Sequence, residues 1–258
     1  PAPGTFRIVV LGDSFMEALQ VELSQALPRR LERRLSGRGV EVINLGVGGY
    51  DTLQTVARLE RFGLPLGPEV AVLVYCLNDV GIASTNLHHI ESMERRRDGL
   101  LAKLALDRFV RSRLAHRVEA AWWERVNEAE HFRRSHAGRI ADLGGEPERR
   151  AAMRSAGEEL PSRWYREADK VGRLRFAFEG LADLAAVERL PVVVAIVPWL
   201  ETGADGYAHR VAHDIVAGEA RRVGFEVVDL LDAFAAEGLE TLRADPGDPI
   251  HPDGRGHA

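Results

Sequence analysis

Two short segments near opposite ends of the chain carry side chains suited to nucleophilic catalysis. Gly12-Asp13-Ser14-Phe15 follows the apolar run 7–11, and Asp248-Pro249-Ile250-His251 lies almost at the other end. A serine hydroxyl becomes a good nucleophile when a base takes its proton, and a histidine oriented by an acid supplies that base. Because these partners need only be close in space, their separation in sequence is no objection. The two segments together indicate serine-based acyl transfer.

Candidate hydrogen-bond donors follow two further apolar runs. Asn44 opens a glycine-rich stretch that extends to Thr52 and includes Gly49, and Asn78 follows the third run. A glycine lets a backbone N–H turn towards a ligand without a Cβ penalty, and an asparagine amide is an uncharged donor. Such donors stabilise the oxygen that becomes negative in a tetrahedral intermediate. The sequence therefore places a nucleophile, a base and oxyanion donors at one edge of a sheet.

Five apolar runs predict the strands of that sheet. They are rich in β-branched residues and lack polar alternation, as is typical of parallel strands covered on both faces. The runs are Arg7–Leu11, Glu41–Leu45, Val70–Tyr75, Val192–Val197 and Glu226–Leu230. Segments of helical period separate them, at Ser24–Leu35, Thr52–Phe62, Val171–Leu190 and Gly206–Val223. This alternation predicts an α/β fold, a three-layer α/β/α sandwich around a five-stranded parallel sheet, and leaves the strand order open.

One segment, about 81–170, interrupts the alternation of strands and helices. It contains no convincing strand, and its apolar residues recur at near-helical spacing among many arginines. We interpret it as a helical insertion within a single domain of residues 1–258. It either roofs the active site and sets substrate choice or packs beside the sheet as a structural cap.

Composition excludes several classes of protein. The 258 residues are 45% hydrophobic and 28% charged, which is typical of a soluble globular domain. A net charge of −5 argues against a dedicated nucleic-acid binder. The single cysteine, Cys76, excludes an internal disulfide framework and a multi-cysteine zinc site. No segment has the length of a transmembrane helix, and the chain begins at Pro1, so a removed targeting or anchor segment and a cytoplasmic location both stay open. Oligomeric state is also open.

In four short sequence blocks the chain resembles the GDSL/SGNH hydrolase family of esterases, lipases, thioesterases and carbohydrate deacetylases. The blocks are Gly12-Asp13-Ser14-Phe15, Asn44 through Thr52, Cys76-Leu77-Asn78-Asp79 and Asp248-Pro249-Ile250-His251. The resemblance implies a flavodoxin-like fold and ester cleavage without a metal or an organic cofactor.

The resemblance also implies a role for each matching residue. Ser14 would be the nucleophile, His251 the base and Asp248 its orienting acid. The oxyanion hole would comprise the backbone N–H groups of Ser14 and Gly49 and the side-chain amide of Asn78.

The chain departs from the family pattern in two blocks and at its end. Phe15 stands where a leucine is usual, and Cys76 replaces a glycine. The family continues into a terminal helix after the histidine, whereas this sequence ends seven residues after His251. We therefore expect residues 251–257 to begin a truncated helix.

Other polar and aromatic residues are assigned structural roles. We interpret Asp13 and Asp79 as hydrogen-bonding residues of their turns. The glycines of residues 46–49 lack the spacing of a dinucleotide-binding loop. His88-His89 and the pair His209 and His213 are interpreted as solvated residues and not as metal ligands. Trp122-Trp123 is interpreted as a core-facing tryptophan with a partly exposed neighbour.

The resulting hypothesis is a serine esterase that acts on short- to medium-chain acyl or acetyl esters through an acyl-enzyme. Phe15, Tyr50 and Trp199 are candidate substrate-binding residues. The partner would be a small-molecule, lipid or carbohydrate ester. Two alternatives stay open: an O-acyltransferase or carbohydrate O-acetylesterase that uses the same site, and a binding module that keeps the fold with weak turnover.

Overall fold

The computed structural model describes residues 4–80, 162–202 and 206–258. All the strands in this part of the chain form one parallel sheet in the order β2-β1-β3-β4-β5. They are β1 Phe6–Leu11, β2 Val40–Asn44, β3 Val70–Cys76, β4 Val192–Val197 and β5 Glu226–Asp229. Each predicted strand is confirmed to within one residue at either end. The order is that of a flavodoxin-like sheet.

Helices connect the strands and cover the sheet. They are α1 Ser14–Glu17, α2 Leu27–Arg34, α3 Thr52–Arg58, α4 Ala168–Glu188, α5 Arg210–Arg222 and α6 Leu231–Glu237. A π-helical turn and a 3₁₀ turn extend α3 to Leu66, and a second 3₁₀ turn covers Leu239–Leu242. Helix α4 contacts both α3 and α5, so these three helices share one face. Right-handed crossovers place α2 on the other face, and the predicted three-layer sandwich is confirmed.

The core lies on both faces of the central strands. Val9, Val10 and Leu11 of β1 are fully buried, and β3 is nearly so from Leu73 onward. This double burial explains why neither strand alternates between apolar and polar residues. Helix α4 contributes the apolar face that its sequence predicts. In that face Leu174, Phe178, Leu181 and Ala185 are buried and Val171 is half-buried.

The strand order determines where the loops with polar residues meet. β1 lies between β2 and β3, and the register pairs Val10 with both Asn44 and Val72. Connections leave β1 and β3 in opposite directions, which opens a crevice at their carboxyl ends, where open α/β sheets bind ligands. Ser14 and Asn78 follow these two strands directly.

Two predictions concern the insertion and the carboxyl terminus. Residues 81–161 of the predicted insertion lie outside the described residues, and α4 already begins at Ala168, within the insertion's predicted end. The single-domain organisation stays a prediction. Residues 254–257 form a hydrogen-bonded turn, and the truncated terminal helix stays a prediction. Here the Asp253 carboxylate accepts the N–H groups of Arg255 and Gly256, so the side chain satisfies donors in the manner of a cap.

Candidate active site

Ser14, His251 and Asp248 form a continuous chain of hydrogen bonds. His251 Nε2 lies 2.8 Å from Ser14 Oγ, and His251 Nδ1 lies 2.6 Å from Asp248 Oδ2. The other carboxylate oxygen of Asp248 accepts the N–H groups of Ile250, at 2.9 Å, and of His251, at 3.2 Å. These backbone bonds hold the carboxylate in one orientation within its own loop. The fold therefore joins two groups that are 237 residues apart in sequence.

The charges at this site favour one protonation pattern. The hydrogen bond and the negative charge of Asp248 raise the pKa of His251, against the effect of burial. Burial would raise the pKa of Asp248, but its bonds from His251 and from the Ile250 N–H hold that pKa below its usual range. An ionised Asp248 only accepts hydrogen bonds, so a neutral His251 carries its proton on Nδ1. Its Nε2 lone pair then faces the Ser14 hydroxyl.

Ser14 lies in a tight turn between β1 and α1. A Cβ on Gly12 would stand 2.9 Å from the carbonyl oxygen of Val74, so a side chain there would displace the neighbouring strand β3. The Asp13 carboxylate caps α1 by accepting the Phe15 N–H at 2.9 Å. Ser14 is the first residue of α1, where a backbone N–H has no partner within the helix. Its N–H is thus available beside its own hydroxyl.

Asn78 is oriented by Asp13. Its Nδ2 donates to Asp13 Oδ2 at 3.3 Å, which uses one of the two amide hydrogens. The two residues follow the adjacent strands β1 and β3, so this bond links the ends of the two strands. The predicted structural role of Asp13 therefore includes contacts on both sides of the site.

A type II turn over residues 47–50 brings Gly49 to the same edge. Tyr50 N–H donates to the Val47 carbonyl at 3.2 Å, and Gly49 has φ +77°, a conformation that a side chain disfavours. In the described part of the chain the Gly49 N–H has no hydrogen-bond acceptor. The sequence prediction that chose Gly49 over Gly48 as a donor fits this turn, because the Gly48 N–H donates to Glu17 Oε2 at 2.8 Å.

Asp79, which follows Asn78, is bonded to α3. Its Oδ2 accepts the Thr52 hydroxyl at 3.0 Å, which ties the end of β3 to the first residue of α3. Burial and the nearby charge of Asp13 raise the pKa of Asp79 well above its usual range. Burial likewise raises the pKa of Asp13, although the Phe15 N–H and the Asn78 amide oppose the shift. These contacts agree with the structural roles predicted for the two residues.

The candidate substrate-binding residues differ in how far they are exposed to solvent. Phe15 is 1% exposed, with its ring centroid 5.0 Å from that of His257. Trp199 is 4% exposed and packs edge-on against His209. Tyr50 is half-buried. Of the three, only Tyr50 presents appreciable surface, and the assignment of all three to substrate binding stays a prediction.

The prediction of solvated histidines at residues 209 and 213 is wrong. His209 is fully buried, with Nδ1 3.0 Å from Ser162 Oγ and Nε2 3.3 Å from Glu201 Oε1. His213 is also buried, between the Tyr207 hydroxyl and the Asp229 carboxylate. Both rings face inward because α5, which carries His213 and follows His209 directly, packs onto the sheet. No cluster of three potential metal ligands occurs in the described segments.

Two further predictions lie outside the described residues, namely those for His88-His89 and Trp122-Trp123. Among the helices that the structure describes, none has the length and apolar character needed to cross a bilayer.

Sequence reasoning missed two residues that organise the site. Glu17 contacts the turn that carries Gly49, and its position three residues after Ser14 on α1 was the available signal. Arg243 donates to carbonyl groups on both sides of the loop that carries His251, at Leu200 and at Pro246. No motif marks Arg243, because both carbonyl groups that it binds belong to the backbone.

Comparison with known proteins agrees with this geometry. The model of the GDSL-like Lipase/Acylhydrolase family matches residues 10–258. No protein of curated function matches the sequence significantly.

Among solved structures, the acetyl xylan esterase AlAXEase has a TM-score of 0.53 and 14% identity, over 98% of this chain and 94% of that one. TesA has a TM-score of 0.53 and 14% identity, over 97% and 91%. A lipase/acylhydrolase from Enterococcus faecalis has a TM-score of 0.51 and 17% identity, over 98% and 90%. At these identities the structures show a shared fold.

The family match covers nearly the whole chain and includes every block that carries the candidate site. It extends from β1, before the nucleophile turn, to the residues after His251. The chain therefore belongs to the GDSL-like lipase/acylhydrolase family and is an esterase of the GDSL type.

Proposed function

We propose that this protein cleaves carboxylic esters by transferring their acyl group to Ser14. The observation that carries the proposal is the hydrogen-bonded chain from Ser14 Oγ to His251 Nε2, at 2.8 Å, and from His251 Nδ1 to Asp248, at 2.6 Å. In this chain the nucleophile contacts a base, and the base contacts an acid that orients it.

In the first step Ser14 Oγ attacks the carbonyl carbon of the ester while its proton passes to His251 Nε2. The carbonyl π electrons move to the oxygen, which becomes an oxyanion. The imidazolium that forms lies against the ionised Asp248, which stabilises its positive charge.

Three donors would stabilise that oxyanion: the N–H groups of Ser14 and Gly49 and the Nδ2 of Asn78. All three are fixed before substrate binds, because they belong to a helix start, a hydrogen-bonded turn and an amide held by Asp13. Donors that need no reorganisation act most strongly on the charge that develops in the transition state.

The intermediate then collapses, and the carbon–oxygen bond to the alcohol breaks as His251 returns its proton to the leaving oxygen. Water attacks the resulting acyl-enzyme, with His251 again taking a proton, and Ser14 recovers its hydrogen when the acid departs. The cycle consumes one water and needs no redox partner.

The test of this proposal is covalent labelling of Ser14. A fluorophosphonate probe should label the wild-type protein at Ser14, and Ser14→Ala should abolish both labelling and hydrolysis of p-nitrophenyl acetate. Thermal stability should change little, because the substitution removes one small, half-buried hydroxyl. Unlabelled wild-type protein would instead support the binding-module alternative.

The acyl acceptor and chain length are part of the same proposal. We propose water as the acceptor and short- to medium-chain or acetyl esters as substrates. A product that appears only when a sugar or another alcohol is supplied would favour the O-acyltransferase alternative. A series of p-nitrophenyl esters of increasing length would define the acyl group accepted.

A further inference from the structure

We propose that Glu17 is a positioning residue that holds the turn of Gly49 so that its N–H faces the oxyanion. The inference rests on the proposed function, since it assigns a task to a residue outside the hydrogen-bonded chain of Ser14, His251 and Asp248.

The first observation is the contact between Glu17 and the turn over residues 47–50. Glu17 Oε2 accepts the Gly48 N–H at 2.8 Å, and the Val47 carbonyl in the same peptide group accepts the Tyr50 N–H at 3.2 Å. The peptide between Val47 and Gly48 is therefore held at both its polar atoms. The next peptide carries the Gly49 N–H, so holding the first peptide fixes where that N–H lies relative to α1.

The second observation is the flexibility of the residues involved. Two glycines occupy the centre of the turn, and glycine populates positive and negative φ about equally. A turn built on glycines has little stiffness of its own, so its position beside Ser14 depends on contacts from outside the turn.

The third observation is proximity to the nucleophile. A Cβ built on Gly48 would lie 2.6 Å from Glu17 Oε2 and 3.6 Å from Ser14 Cβ, so the three residues meet at one point. Ser14 and Glu17 are also the first and last residues of α1. The same short helix therefore carries the attacking oxygen of Ser14 and holds the turn of the Gly49 donor.

A second tie anchors the beginning of the loop. Asn44 Nδ2 donates to the Met16 carbonyl at 2.6 Å, while its Oδ1 accepts the Gly46 N–H at 2.9 Å. This pair of bonds secures the loop where it leaves β2. Glu17 is the corresponding contact at the tip, where Gly49 lies.

The experiment compares Glu17→Ala, which removes the acceptor, with Glu17→Gln, which keeps an acceptor oxygen and removes the charge. Kinetics of p-nitrophenyl acetate hydrolysis and melting temperatures would be measured for both. Glu22→Ala, which removes an exposed carboxylate from the loop after α1, is the matched control. Wild type and Ser14→Ala are assayed in parallel, so failure of the proposed function would appear there first.

We expect Glu17→Ala to lower kcat by about 10- to 100-fold with KM changed less than about threefold, because a misplaced donor acts on the transition state. Glu17→Gln should stay within about threefold of wild type, and Glu22→Ala should match wild type. Unchanged kcat in Glu17→Ala would overturn the inference. An equal loss in Glu17→Gln would also overturn it, since charge and not the hydrogen bond would then matter.

A double-mutant cycle tests the route through Gly48, and its single variant Gly48→Ala tests the proposal even if Glu17→Ala folds poorly. Gly48→Ala places a methyl group against Glu17 Oε2 and should displace the carboxylate. In the wild-type background it should lower kcat by about tenfold, and in the Glu17→Ala background it should have little further effect. Full additivity of the two losses, or no loss in folded Gly48→Ala, would contradict the proposal.

Discussion

Leu200 and Pro249 are joined by a backbone hydrogen bond of 2.6 Å, in which the Leu200 N–H donates to the Pro249 carbonyl. Leu200 lies shortly after β4, and Pro249 follows Asp248 directly. The bond therefore attaches the loop of Asp248 and His251 to the central sheet. The Arg243 guanidinium reinforces it, since Nε donates to the Leu200 carbonyl at 2.5 Å and Nη1 to the Pro246 carbonyl at 3.0 Å.

We predict that Arg243→Met loosens this loop. The variant loses two charge-assisted bonds to backbone carbonyls from a mostly buried side chain, so unfolding free energy should fall by about 2 kcal/mol. Activity should fall by about tenfold in kcat, because the base is then held less firmly against Ser14. Urea denaturation and ester kinetics measure the two effects.

Arg210→Met is a suitable control for the substitution at Arg243. Arg210 pairs with Asp232 on the surface, where an ion pair contributes little, so stability and activity should both stay near wild type. Comparable losses in the two variants would mean that Arg243 has no special connection to the catalytic loop.

The Asn78 amide is predicted to act mainly on the transition state. Asn78→Ala should lower kcat by about 10²–10³-fold with a smaller change in KM, as is typical of a lost oxyanion donor. Steady-state kinetics on p-nitrophenyl acetate would show the split. A variant changed only in KM would assign Asn78 to ground-state binding.

The pH dependence of activity should report the ionisation of His251. Because its partner Asp248 raises the pKa of His251, kcat/KM should rise with pH through a midpoint above the ordinary histidine value of about 6.5. Asp248→Asn removes the charge, so this midpoint should move to lower pH while kcat falls by about 10³–10⁴-fold through loss of the orienting acceptor. An unshifted midpoint in Asp248→Asn would show that another group sets the ionisation.

Stability at mildly acidic pH should depend on His257. Burial, with a smaller contribution from Arg30, lowers the pKa of His257 to about 4, and neither ring nitrogen has a hydrogen-bond partner in the described residues. The unfolded chain therefore binds the proton more tightly, so stability is lost as pH falls from about 6.5 towards 4, by up to about 3 kcal/mol.

The variant His257→Leu tests this dependence on pH. It fills the same apolar space beside Phe15 without a titratable group, so the difference between its unfolding free energies at pH 7 and pH 4.5 should be smaller than that of wild type. Equal pH dependence in the two proteins would contradict the prediction. Burial also lowers the pKa of His213. Because His213 is present in both proteins, its contribution to the pH dependence cancels in the comparison.

Arg189 offers a stabilising substitution far from the site. It ends α4 with φ +54°, and Leu190 N–H donates back to the Ala185 carbonyl at 2.9 Å, as in a helix end that favours glycine. Arg189→Gly should raise unfolding free energy by about 1 kcal/mol by removing the left-handed strain. Arg189→Ala, which keeps a Cβ, should show no such gain in thermal denaturation.

Much of the fold was predictable from sequence because local patterns reflect burial directly. The run Val192–Val197 was recognised with its observed bounds, since a strand covered on both faces needs a continuous apolar stretch. The end of α3 was not, because the helix passes into a π-turn at Leu59, and there Gly63 closely approaches Leu45, a contact between elements that local sequence does not show.

The inward-facing histidines are a second feature that the sequence could not predict. His213 lies on α5 and His209 caps its start, a spacing of four that places the two side chains on one face without saying which way that face points. Packing of α5 against β4 and β5 turns that face inward. Tyr207 and Asp229 then supply partners for the buried His213 ring, and those partners come from a loop and from a different strand.

By itself the sequence determined the residue types of the site and the strand after which Ser14, Gly49 and Asn78 each stand. It could do so because a turn at the end of a strand has a local signature of glycine and small polar residues. Only the tertiary structure decided that β1 lies between β2 and β3, and that Glu17 and Arg243 hold the loops around them. Those contacts reach backbone atoms, which every residue carries, so the pattern of side chains along the chain does not identify the partners of Glu17 and Arg243.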